Sequence, residues 1–297
     1  MRVFVTGASG WVGSAVVKDL LAAGHSVLGL ARSDASAAAV AAAGADVHRG
    51  TIEDLESLKA GTLGVDGVIH TAFSHDFSKF VENGIAEKAA IEALGAALAG
   101  SGRPLVVTSG VAFIPAGGGP ATEDDTVPPG SPVPRDPETP AFAAAANGVR
   151  ATLVRLSPSV HGDGDHGFAA TLVGIAREKG VSAYIGEGLN TWPAVHRSDA
   201  ATLYRLALEK GVAGTRYHAV AEPGVVFRDI AEAIGRWLGL PVVSIAPEEV
   251  GAHFGWFARF AGINALASSS KTQAALGWRP SGPGLLADLD QGHYFGR

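Results

Sequence analysis

Three glycines near the start of the chain constrain its fold more than anything that follows them. Gly7-Ala8-Ser9-Gly10-Trp11-Val12-Gly13 comes after the apolar run from Arg2 to Thr6 and opens an amphipathic stretch at Trp11. Between a strand and a helix, each glycine has its own reason to be there. Gly7 permits a tight turn, Gly10 lets the backbone come close to a pyrophosphate, and Gly13 lets the helix pack on the strand. The helix then points its unpaired N–H groups and the positive end of its dipole at the phosphates. A bound dinucleotide is expected, touched by Gly7, Ser9, Gly10, Trp11, Val12 and Gly13. The alternative is the same fold with nothing bound.

The first half of the 297 residues keeps one rhythm. Strand-like runs at 2–6, 26–30, 46–49, 67–71, 105–109 and 151–156 alternate with helical patterns at 11–23, 35–43, 52–59 and 81–99. Such alternation predicts βαβ units and a parallel sheet with both faces covered. The unbroken apolar runs Val3-Phe4-Val5 and Leu105-Val106-Val107 fit strands buried on both sides. The predicted fold is α/β, a Rossmann doubly wound parallel sheet over 1–156. A smaller mixed α/β substrate lobe is expected over 157–297, with room for elements that return to the sheet. Its predicted helices are 168–178, 198–210, 227–238, 247–260, 271–276 and 285–294, and its strands 182–185, 216–220 and 242–245. Between 114 and 140, prolines and glycines exclude regular helix and central strand. That stretch is either a solvated excursion or the rim of a site.

Cofactor choice falls at the end of the second strand. NAD-binding chains place an Asp or Glu there for the ribose 2′-OH. This chain reads Gly29-Leu30-Ala31-Arg32-Ser33, with Ala31 at the acidic position. The Arg32 guanidinium can fork onto a 2′-phosphate, and Ser33 can add a hydroxyl. NADP is expected over NAD. A net charge of -6 offers nucleic acid little to bind. The lack of cysteine excludes disulfides and thiolate metal sites and fits a reducing cytoplasm. No run is long and apolar enough for a membrane span, and Met1 leads straight into a strand, so no secretory leader is expected. His161-Gly162-Asp163-Gly164-Asp165-His166 holds metal-ligating types on a glycine-broken loop. A metal wants a rigid frame, and none is expected here. His161 and His166 are instead candidates for proton transfer near neutral pH; the alternative is a loop packed by hydrogen bonds.

These segments resemble the short-chain dehydrogenase/reductase superfamily, more narrowly its extended or atypical branch of NAD(P)-dependent epimerases and dehydratases. The resemblance is carried by the run from Val5 to Ser14, by Asp66-Gly67-Val68-Ile69-His70-Thr71-Ala72 and by Leu105-Val106-Val107-Thr108-Ser109-Gly110. It continues through Arg155-Leu156-Ser157-Pro158-Ser159-Val160-His161-Gly162, Val195-His196-Arg197-Ser198-Asp199-Ala200-Ala201 and Ala275-Leu276-Gly277-Trp278-Arg279-Pro280. It implies that Thr71, Ala72, Phe73, Thr108, Ser109, Ser157 and Pro158 line the cofactor. It also implies catalysis by a Ser or Thr with a Tyr and a Lys four apart on one helix face.

Here the chain departs from its relatives. It holds no Tyr-x-x-x-Lys; Phe142 and Ala146 have that spacing, in a helix about two turns short for the family. Gly110 takes the usual serine position, one residue after Ser109, and Glu87 stands where the family has a helical Asn. Ser109, His161 and His166 are therefore the catalytic candidates. Phe73, Phe142 and Trp192 are pocket walls or plain core, the aromatic run at 253–260 is core, and Ser198 suits a helix N-cap.

Three functions compete. The favoured one is an NADP(H)-dependent oxidoreductase that reduces a carbonyl or activated alkene of a small molecule. The others are an NAD-dependent sugar-nucleotide epimerase or dehydratase and a non-catalytic NADP-binding redox sensor. The missing pair weighs against the epimerase, which must oxidise before it reduces. The resemblance further implies a homodimer through two long helices, of which 81–99 is present and its partner is short.

Overall fold

The computed structural model describes residues 1–76, 79–115, 118–127 and 135–296. The first half runs β1 (Arg2–Thr6), α1 (Trp11–Ala22), β2 (Ser26–Ala31), α2 (Asp34–Ala42), β3 (Asp46–Arg49), α3 (Leu55–Gly61), β4 (Gly67–His70), α4 (Phe80–Leu98), β5 (Pro104–Gly110), α5 (Glu138–Ala146) and β6 (Arg150–Leu156). The second half runs β7 (Ser159–His161), α6 (Phe168–Lys179), β8 (Ser182–Ile185), β9 (Thr191–His196), α7 (Arg197–Lys210), β10 (Arg216–Ala219), β11 (Glu222–Val226), α8 (Phe227–Leu238) and β12 (Val242–Ile245). Four short helices follow: α9 (Val250–Phe254), α10 (Ala258–Ala261), α11 (Ser270–Leu276) and α12 (Leu285–Leu289).

Among the described residues the main sheet has the order β10-β6-β5-β4-β1-β2-β3, and every pairing in it is parallel. The order reverses direction between β1 and β4. In such sheets ligands bind outside the carboxyl ends of the strands at this switch point. Successive residues of β1 go to opposite faces. Val3 and Val5 pack with Val16, Val17 and Leu20 of α1 and with Leu203 and Leu208 of α7. Phe4 packs with Leu58, Ile91 and Leu94 on the other side. The predicted doubly wound sheet is therefore present, with a core on each face.

The second half does not stay apart. β10 extends the main sheet beside β6, and α7 packs against α1. The rest builds its own core around Trp192, Phe227, Phe254 and Phe257. Trp192 is fully buried there, so of its two readings, pocket wall or core, the core one holds. The short strands β7, β9 and β11 form a three-stranded sheet that the sequence reading missed.

Other departures have local causes. The helix predicted over 247–260 is broken because Gly255 turns to φ +55. The helix predicted over 285–294 ends at Leu289, and Gly292, at φ +80, turns the chain. Helix α7 begins one residue before the predicted start: His196 is its N-cap, and Ser198 instead bonds the His196 ring. Within the Pro/Gly-rich stretch 114–140, residues 116–117 and 128–134 lie outside the described ones. Its described part includes a bridge from Ala121 to Ala267, and α5 begins at Glu138. No helix among the described residues is long and apolar enough to cross a membrane.

Candidate active site

The glycine loop is shaped to receive a dinucleotide. Gly7 has φ +69, and a Cβ on it would come within 2.8 Å of the Ala72 amide and the Thr71 hydroxyl. A Cβ on Gly13 would stand 2.0 Å from the Gly7 carbonyl, so the first turn of α1 lies directly on the loop. Gly10 caps α1 with no side-chain hydrogen bond, and Ser9 and Gly10 are exposed. The free amides at this end, those of Trp11 and Val12 included, are thus open to phosphate oxygens. The Trp11 ring faces the second lobe. Its Nε1 donates to the Val160 carbonyl at 2.7 Å, and the Arg197 guanidinium lies over it at 4.0 Å.

Past the end of β2, Arg32 is exposed and pairs with no described residue. Ser33 caps α2 in a reciprocal arrangement with Ser36. Asp34, the nearest carboxylate in sequence, is held by Arg49 of β3. Arg49 stands opposite Ala31 in the strand register.

On the β4 and β5 side the strand ends carry a buried polar chain. Thr6 and the His70 Nδ1 share a hydrogen bond of 2.9 Å. The Thr108 hydroxyl donates to the His70 carbonyl at 2.7 Å and therefore accepts from the Tyr204 hydroxyl, also at 2.7 Å. Burial, with repulsion from Arg135, lowers His70 to about 3. The folded state thus refuses a proton that the unfolded chain accepts. His70 costs nothing well above pH 6.5, and stability falls as pH drops from there toward 3. We expect its share of the loss between pH 7 and pH 5 to be about 2 kcal/mol. The variant His70→Asn should lose correspondingly less than the wild type in urea titrations at those two pH values. Equal losses in the two proteins would contradict this assignment.

Arg135 lies over this strand edge. Its Nε and Nη2 grip the Glu87 carboxylate at 2.6 and 2.5 Å, and Nη2 also donates to the Thr108 carbonyl at 3.2 Å. Its guanidinium sits 4.5 Å above the Phe73 ring. Glu87 is buried, and burial pushes its carboxyl up against the opposing pull of Arg135. Neither Arg135 nor its bond to Glu87 was found from the sequence. Arg135 falls in the proline-rich stretch, where no periodicity marks a side chain.

Ser109 belongs to a second network. Its hydroxyl donates to Glu138 at 3.0 Å. The same carboxylate accepts Nε and Nη2 of Arg155 at 2.7 and 2.8 Å and Nε of Arg216 at 2.9 Å. Burial works against ionising Glu138, but the two arginines outweigh it and hold the carboxyl below its usual range. Arg155 is fully buried, and its Nη1 donates to the Asp125 carbonyl and to His218. Phe142 lies under the Arg216 guanidinium and packs against the core beneath the sheet, so it adjoins this network.

The two histidine candidates part company. His161 is fully buried; its Nδ1 donates to Asp288 at 3.0 Å, and its Nε2 is enclosed without a partner. His166 is exposed, edge-on to Trp11 at 5.5 Å, and close enough to His75 to repel its charge. Burial, Arg135 and His166 together lower His75. Asp165, between the two candidates, accepts from the Gly167 amide and from the Tyr294 hydroxyl. The loop is thus packed by hydrogen bonds, and among the described residues no cluster suits a metal. The Ser157 hydroxyl is committed to the Ala219 carbonyl, and Pro158 follows it half-buried. Asp199 ties down the C-terminal segment by accepting from the Ser281 and Gly282 amides.

Comparison with known proteins agrees with this architecture. The profile of the NAD dependent epimerase/dehydratase family matches residues 3–220. An uncharacterized protein of Schizosaccharomyces pombe is 49% identical over 99% of this chain and 100% of its own length. A ketoreductase of Stigmatella aurantiaca, acting on a 4-hydroxy-2-methyl-3-oxo-4-farnesyl-3,4-dihydroquinoline-1-oxide, is 46% identical over 72 residues, 24% of this chain and 22% of its own. Among solved structures, a double mutant of the dTDP-glucose 4,6-dehydratase DesIV of Streptomyces venezuelae, with NAD and DAU bound, superposes with a TM-score of 0.78. It is 23% identical over 99% of this chain and 96% of that one, a likeness of fold.

Proposed function

The chain belongs to the NAD dependent epimerase/dehydratase family, and from that premise we propose that it is an NADPH-dependent oxidoreductase that reduces a carbonyl or activated alkene of a small molecule. The observation that carries the cofactor choice is Arg32. A guanidinium without a described partner waits one residue past the buried Ala31, where an acid would serve NAD. The neighbouring Asp34 is paired with Arg49, which partly offsets its repulsion of a 2′-phosphate. Gly7, Gly10 and the first amides of α1 would hold the pyrophosphate, with Arg32 and Ser33 on the 2′-phosphate. Thr71, Ala72, Phe73 and Thr108 would line the nicotinamide end. When bound, the reduced cofactor supplies the hydride.

This chain's residues position the substrate and manage the proton. Ser109 spends its only hydrogen on Glu138 and would have to turn to donate it. His166 is exposed, edge-on to Trp11 at the rim. Lacking a positioned acid costs about 10²–10⁴-fold, which proximity, worth up to about 7–11 kcal/mol, can exceed. The short match to a ketoreductase supports the reductive direction. The reading is tested by following NADPH oxidation with a panel of ketones, aldehydes and enones. Turnover of any one class supports it. Tight NADPH binding with no turnover across the panel would sink the reductase and favour a non-catalytic cofactor-binding protein.

A further inference from the structure

We propose that Arg135 is a catalytic residue, whose Nη1 binds the oxygen of the carbonyl being reduced, and that Glu87 is its positioning residue. This rests on the reductase reading for the reaction, but not for the anion site itself. Three surfaces of the guanidinium are already fixed. Its edge through Nε and Nη2 is locked bidentately on Glu87, Nη2 also meets the Thr108 carbonyl, and one face covers Phe73. Among the described residues nothing accepts from Nη1, and the Arg135 side chain keeps 19% of its exposure. The group it grips is 1% exposed, so the orientation is set from inside the protein. A guanidinium held in this way is a preorganised donor that need not reorganise during reaction.

Its place in the fold decides what it can meet. Phe73 follows β4, and Thr108 is near the end of β5, on the side of the switch point away from Arg32. A dinucleotide with its 2′-phosphate at Arg32 and its pyrophosphate at the glycine loop would have its nicotinamide end on the side of these strand ends. The positive field of Arg135 fills that corner and helps keep His70 and His75 uncharged. The imidazoles there do not compete with it as cations.

The step balances simply. A bound reduced nicotinamide would supply the hydride to the carbonyl carbon, with the π pair moving onto oxygen. The resulting alkoxide, held by Nη1–H, would take a proton from solvent. One carbonyl becomes an alcohol, and the cofactor is left oxidised. Arginine does not give up its own proton; its part is to stabilise the negative oxygen.

The test compares wild type with Arg135→Lys and with the double variant Glu87→Gln/Arg135→Gln, which leaves no uncompensated buried carboxylate. NADPH binding is read by fluorescence. Benzoate, as an oxyanion probe, is titrated by NMR into each protein saturated with NADP. Carbonyl reduction is measured wherever wild type shows it. We expect NADPH affinity within threefold of wild type in both variants. We expect benzoate affinity to fall at least tenfold in the double variant and kcat to fall about 10²–10³-fold, with a smaller loss in the lysine variant. Unchanged benzoate affinity or a kcat within threefold of wild type in the double variant would overturn the proposal. So would failure of wild type to bind benzoate. If the double variant does not fold, the lysine variant decides: full retention of benzoate binding overturns, and a tenfold loss with NADPH binding intact supports. If wild type reduces neither a carbonyl nor an activated alkene, the reductase reading fails while the benzoate titration still judges Arg135.

Discussion

Replacing Arg32 with alanine is expected to weaken NADPH binding by about 10–100-fold and to leave NADH binding within about twofold. A charge-assisted hydrogen bond contributes about 1.5–3 kcal/mol, and each 1.4 kcal/mol is a factor of about ten in affinity. The substitution is structurally quiet. Arg32 is exposed and pairs with no described residue, so the fold should lose no more than about 0.5 kcal/mol. Removing Arg49 should act in the same direction but more weakly, by releasing Asp34 beside the phosphate. Parallel titrations of the two cofactors by fluorescence give the ratio directly. An equal loss for NADPH and NADH, or no loss for either, would mean that Arg32 does not read the 2′-phosphate.

Arg155→Met is the substitution with the largest expected effect on stability, a loss of about 3–5 kcal/mol. The reason is the stranded partner. Arg155 is fully buried and supplies two of the four hydrogen bonds that Glu138 accepts. Without it a mostly buried carboxylate keeps only Arg216 and Ser109, and breaking a buried pair from one side typically costs this much. The double variant Arg155→Met/Glu138→Gln should recover a good part of the loss, because no bare carboxylate remains and Arg216 keeps some access to solvent. The same pair sets an acid dependence. Glu138 ionises more readily folded than unfolded, so its contribution is full above its unfolded pKa, about 4.3, and is lost as pH falls through the lower folded value. Urea unfolding at neutral pH checks the main effect; a loss below about 1 kcal/mol for Arg155→Met would show that the ion pair is not what holds this corner.

The parts of this molecule that were legible in the sequence are those with a period or a fixed spacing. The glycine loop, the parallel strands β1 to β6 and the helices between them follow from alternation, and the central strands β1, β4 and β5 are buried on both faces. Arg32 was singled out because one strand end has one place for an acid, and the cofactor titrations decide whether it reads the 2′-phosphate. What escaped is long-range pairing. The bond from Arg135 to Glu87 spans 48 residues, and the one from His161 to Asp288 spans 127. No local pattern encodes such pairs. Arg135 sits among prolines, and Asp288 in a helix that was expected to run past Gly292. Glu138 escaped too: at the first turn of a short alanine-rich helix it reads as a solvated acid, and only the folded chain brings three partners to it. Of the small sheet's strands, β7 has three residues, and Pro193 in β9 and Pro223 and Gly224 in β11 interrupt the strand pattern.

The central claim is that the cleft at the carboxyl ends of β1, β4 and β5 holds a nicotinamide dinucleotide bearing a 2′-phosphate. The most direct measurement is thermal unfolding of the wild type alone, with NADPH and with NADH, after retained cofactor has been excluded by absorbance. A ligand at 100 times its Kd stabilises by about 2.7 kcal/mol, a midpoint shift of about 4 °C for a chain of this size. The account predicts such a shift with NADPH and a clearly smaller one with NADH at the same concentration. A larger shift with NADH, or none with either, would contradict it.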